Sequence, residues 1–74
     1  MTKKEIATMV AETINGLEAG MAMVGEKDGQ PSVIIGKESV RPSFNVTDDI
    51  ENRVNACKGE DIYVALAEVA ADMR

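Results

Sequence analysis

The chain has 74 residues, 13 acidic and 8 basic side chains, a formal charge of −5, one cysteine and no histidine. A single cysteine excludes an intrachain disulfide, and without histidine neither the usual catalytic base nor an ordinary zinc site can be assembled. An acidic balance disfavours direct contact with nucleic-acid phosphates or anionic lipid and favours a basic protein surface.

Hydrophobic residues make up 45% of the chain and charged residues 28%, a globular composition. The length implies one small domain over residues 1–74. With one Phe, one Tyr and no Trp, the core must come from Ile, Val, Leu, Met and Ala. A domain of this size buries only about 60% of its unfolded surface, so either self-association or an unusually efficient core is expected. The opening MTKKEIATMV holds no long apolar segment. No signal peptide or membrane span is therefore expected, and the setting is read as reducing and cytoplasmic. The acceptor pattern Asn45-Val46-Thr47 carries little weight in that setting.

Thr2 and Glu5 form a capping-box pattern, and Ile6, Met9, Val10, Ile14 and Leu17 then fall at helical spacing. Asn15-Gly16 reads as the stop of this first helix. The alternative is a helix continuing through Val24, with Gly16 and Gly20 on one side. Asp28-Gly29 between two apolar runs predicts a hairpin on a type I′ turn, which sets Val24 opposite Val33 and Met23 opposite Ile34. Val40, Pro42, Phe44 and Val46 alternate with polar residues, and Pro42 marks an edge strand. Strands are thus expected at roughly 21–26, 31–36 and 40–46.

Thr47 can cap a second helix, with Asp48, Asp49 and Glu51 in its first turn. Its apolar stripe is Ile50, Val54 and Cys57, and Lys58-Gly59 reads as its end. A third helix follows from Glu60-Asp61 to about Met73, with Ile62, Leu66, Val69 and Met73 facing inward. Val64, Ala67 and Ala71 occupy much of its opposite face. A helix apolar on two sides expects burial on two sides, so these three residues are candidates for self-association.

Gly36-Lys37 resembles the end of a phosphate-binding loop but fails its requirements. Pro31 stands where the first glycine belongs, Glu38 replaces the magnesium-binding hydroxyl, and a strand follows instead of a helix. The acidic pairs at 48–49 and 60–61 suit helix starts and do not match a calcium loop. A DNA-reading helix is excluded because the third helix opens on Glu60, Asp61, Ile62 and Tyr63, with Arg74 as its one cation. Cys57 is expected to be a buried small hydrophobe.

The sequence therefore predicts an α+β fold: helix, three-stranded antiparallel meander, two helices. The leading functional expectation is a non-enzymatic interaction module, a small inhibitor or adaptor of phage or bacterial type, without metal or cofactor. It would self-associate and meet a basic protein partner through Asp48, Asp49, Glu51, Glu60, Asp61, Glu68 and Asp72, in one version as a decoy for a nucleic-acid-binding surface. The alternatives are a small-ligand module, with an apolar pocket formed in an oligomer and anchored by Arg41 or Arg53, and a structural subunit of a larger assembly.

Overall fold

The chain begins with the reciprocal cap that Thr2 and Glu5 allow. Thr2 Oγ1 accepts the Glu5 N–H at 3.2 Å and the Glu5 carboxylate accepts the Thr2 N–H at 3.0 Å. The computed structural model describes residues 1–37, 39 and 41–73; Glu38, Val40 and Arg74 lie outside them. Six elements follow in the expected αβββαα order: α1 (Lys3–Leu17), β1 (Ala22–Lys27), β2 (Gln30–Ile35), β3 (Ser43–Asn45), α2 (Asp48–Asn55) and α3 (Asp61–Met73). The sheet is an antiparallel meander in the order β1-β2-β3.

The β1–β2 register follows from the turn. Asp28 and Gly29 both take positive φ, 54° and 77°, as a type I′ turn requires, and Val24 pairs with Val33 and Met23 with Ile34. Opposed residues share a face, so Ala22, Val24, Val33, Ile35 and Phe44 line one side of the sheet. α1 lies on that side, with Ile6, Ala7, Val10, Ala11 and Ile14 buried. α3 packs against α1 and α2, placing Ala65, Leu66, Val69, Ala70 and Met73 in the same apolar cluster. Each fully buried Val, Ile or Leu contributes roughly 1.5–3 kcal/mol, so this cluster supplies the main driving force.

Three elements, α1, α2 and β3, depart from the sequence expectation by more than a residue. α1 runs past Asn15 to Leu17 and does not continue to Val24. Gly16 stays helical; the residue that reverses the chain is Gly20, at φ +74°. Asn15 stops nothing, because its side chain is committed to the sheet. Its Oδ1 accepts the Ala22 N–H at 2.7 Å and its Nδ2 donates to the Ala22 carbonyl at 2.9 Å. Leu17, two residues beyond this clamp, is exposed rather than part of the buried stripe.

α2 ends at Asn55, before the expected Lys58-Gly59. Gly59 does take positive φ, +61°, but in the turn leading to α3. Cys57 consequently lies beyond α2, half-buried against the core rather than fully inside, and its thiol points to the Arg53 carbonyl at 3.5 Å. β3 is assigned over three residues, fewer than 40–46, and Val40 lies outside the described residues. Strand pairing nevertheless reaches beyond it at both ends, through Ile35 N–H to Pro42 C=O and Val46 N–H to Pro31 C=O, both at 3.0 Å. Lys37, after the Gly36 turn, ion-pairs with Glu18 at 3.2 Å and so ties the end of β2 to the end of α1.

Candidate functional site

α3 is buried on one side and apolar on much of the other. Tyr63 and Val64 are 65% and 57% exposed, and Ala67 and Ala71 are exposed beside them. Positions 60, 64, 67 and 71 follow helical spacing, so Val64, Ala67 and Ala71 form one stripe, flanked by Tyr63 and Glu68. Tyr63 is the member that the sequence reading left out. Its position next to Val64 and four residues before Ala67 was the available signal.

Three of the seven acidic residues have ion-pair partners within the fold. Asp48 ion-pairs with Lys3 of α1. Glu68 and Asp72 gather around Arg53, at 2.6 and 3.7 Å. Among the described residues, no ion pair reaches Asp49, Glu51, Glu60 or Asp61. Asp49 and Glu51 sit in the first turn of α2, and Glu60 and Asp61 follow its other end, beyond a helix about 12 Å long. Lys3 hydrogen-bonded to Asp48 lowers the Asp48 pKa and has its own raised. The hydrogen bond from the Thr2 amide lowers the Glu5 pKa, and the bond to Glu68 raises that of Arg53.

Arg53 also borders a groove of about 380 Å³ between β3 and the helices. Phe44, with Ser43 and Asn45 on either side, forms one wall; Ile50, Val69 and Met73 form the apolar part of the other, with Asp72 at its rim. Arg41, the other candidate anchor, lies elsewhere and donates to Met23 Sδ at 3.4 Å. Two buried polar atoms, Ser32 Oγ and Asn45 Oδ1, have no hydrogen-bond partner among the described residues. They belong to register partners on the sheet face turned away from α1.

Among the described residues, no group of three or more His, Cys, Asp or Glu side chains is placed to hold a metal ion. No helix among them is long and apolar enough to cross a membrane. Comparison with protein-family models, with curated protein sequences and with solved structures gave no match.

Proposed function

We propose that the protein is a non-enzymatic interaction module of the cytoplasm, an inhibitor or adaptor that associates with itself through α3 and engages a basic protein partner through its acidic C-terminal half. The observation that carries this reading is the outer face of α3. Tyr63 and Val64 expose large apolar surface beside Ala67 and Ala71, on a helix whose inner side is already core. Small residues at Ala67 and Ala71 let a second helix approach closely. The acidic contribution falls to Asp49, Glu51, Glu60 and Asp61 more than to Asp48, Glu68 and Asp72, whose charges already face Lys3 or Arg53.

Sedimentation equilibrium across a wide concentration range tests the reading. The expected result is reversible association that Val64→Lys with Ala67→Lys removes. Both sites are exposed, so that variant should unfold within about 0.5 kcal/mol of the parent. A strict monomer at high concentration would overturn the self-association. A partner bound through the acidic half should dissociate steeply as salt rises.

A second reading has one observation in its favour. The groove brings Arg53 together with Val69 and Met73, the apolar-plus-cation lining expected of a small-ligand module, within one copy of the chain. A bound small molecule retained in native mass spectrometry would support it.

A further inference from the structure

We propose that the open edge of β3 receives an extended basic peptide as a fourth strand, with one apolar side chain of that peptide seated in the groove beneath. The edge follows from the hydrogen-bond pattern. Pro42 C=O and Val46 N–H bond to β2, and Phe44 pairs with Val33 between them. In an antiparallel ladder the intervening residues turn their backbone groups the other way, so Ser43 and Asn45 direct their N–H and C=O groups away from β2. β3 is the last strand of the sheet, and among the described residues no element pairs with it on that side.

The groove runs along this same edge. Ser43, Phe44 and Asn45 line it together with Ile50, Val69 and Met73. Main-chain bonding along an edge, combined with a pocket for an alternate side chain, is the arrangement by which sheets bind extended peptides. An added strand would place every second side chain on the Phe44 side, over the apolar floor. Its other side chains would come beside Asn45, whose buried Oδ1 lacks a donor.

The charge of the occupant rests on the reading of the acidic half as a protein-binding surface; the edge pairing does not. Residues 42–74 carry seven acidic and three basic side chains. Lys27 and Arg53 line the groove with Asp72, whose charge faces Arg53; the acids beside it that no ion pair reaches among the described residues are Asp49 and Glu51, in the first turn of α2 after Thr47, which also lines the groove. A second copy of this chain would bring the same negative charge to the edge, so a basic segment fits better.

The probe is a blocked seven-residue peptide, acetyl-KVTITVK-amide, titrated into the protein and followed by amide chemical shifts. Two further versions carry N-methyl groups on the even or on the odd amides. The expected result is binding that shifts the Ser43 and Asn45 amides, with the two methylated peptides differing about tenfold or more, because only one set of amides points at β3. Asn45→Pro should weaken binding similarly, since it removes an outward N–H and leaves the Phe44–Val33 pairing in place. Preserved shifts for Val33 and Phe44 would verify that this variant is folded. No binding at millimolar peptide, or equal binding of all three peptides, would overturn the proposal. Shifts at β3 that depend on protein concentration alone would also overturn it, by giving the edge to a second copy. The α3 association is read separately, with Val64→Lys and Ala67→Lys, so either reading can fail without the other.

Discussion

The sheet has two edges, and the chain treats them differently. On β1, Gly36 N–H donates to the Met21 carbonyl at 2.8 Å, so Met21, Met23 and Gly25 bond toward β2, and Ala22, Val24 and Glu26 turn their backbone groups outward. The first of these positions is closed. The Asn15 side-chain amide presents a carbonyl and an N–H to Ala22 just as a neighbouring strand would. Charged Glu26 and Lys27 follow on the same strand, which further discourages pairing. On β3, among the described residues, no side chain covers Ser43 and Asn45 as Asn15 covers Ala22; the shortness of the strand and Pro42 before it limit that edge. The same residue type plays opposite parts. Asn15 satisfies an outward-facing backbone, and Asn45 holds an acceptor that no described residue satisfies.

The largest effect is expected from removing the closed edge's clamp. Asn15→Ala leaves the Ala22 N–H and carbonyl, both part-buried, without their partners. Losing these two bonds should cost about 1–3 kcal/mol, read as a lower midpoint in urea at unchanged slope. Asn15→Asp sharpens the point. Its carboxylate can still accept the Ala22 N–H but faces the Ala22 carbonyl with a second acceptor, so it should recover only part of the loss. Unchanged stability in Asn15→Ala would mean that solvent serves this edge as well as Asn15 does.

The mirror substitution at the open edge should go the other way. Asn45 Oδ1 is buried without a donor, and the position lies in a strand. Asn45→Val removes an unsatisfied acceptor and adds β-branched surface, so it should be neutral or stabilise by up to about 1 kcal/mol. A clear destabilisation in the same urea measurement would show that Asn45 is already satisfied in solution, and would remove the contrast between the edges.

What the sequence revealed of this arrangement follows the range of the interactions. The Asp28-Gly29 turn set the β1–β2 register because both positive φ values and the strand alternation are local properties. The inward face of α3 was legible for the same reason: Leu66, Val69 and Met73 repeat at helical spacing. The end of α1 was not. Asn15-Gly16 has the composition of a helix stop, yet Asn15 is engaged seven residues away, and the turn that permits this is made by Gly20. At the second helix, Lys58-Gly59 correctly marked a left-handed glycine but not the helix end, which came three residues earlier at Asn55. The acidic residues were visible as a count. Which of them meet Lys3 or Arg53 depends on how α1, α2 and α3 pack, and no spacing within one helix encodes that. The groove beside β3 is likewise a product of packing between elements far apart in the chain.

The smallest predicted effect separates the two ends of α1, and through them the charged and neutral ways of tying a helix down. The start depends on carboxylates: Glu5 accepts the Thr2 N–H, and Asp48 pairs with Lys3. Both carboxyl pKa values are lowered by these bonds. Their contribution is therefore fully present above the ordinary carboxylate range, near pH 4, and is lost as pH falls through the lowered values. Lys3 has the opposite sign. Its raised pKa gives a contribution that persists below about pH 10.4 and is lost only as pH rises through the raised value. At the far end of α1, beside the exposed ion pair of Lys37 with Glu18, β1 is held by the neutral Asn15 amide, which titrates in neither window. Amide shifts followed from pH 7 to pH 2.5 should move at Thr2, the donor to Glu5, and stay constant at Ala22, the donor to Asn15. Glu5→Gln should flatten the Thr2 response while keeping an acceptor in place. Parallel movement of Thr2 and Ala22 would mean that the two ends of α1 loosen as one unit, and that the amide clamp does not hold β1 independently of the charged cap.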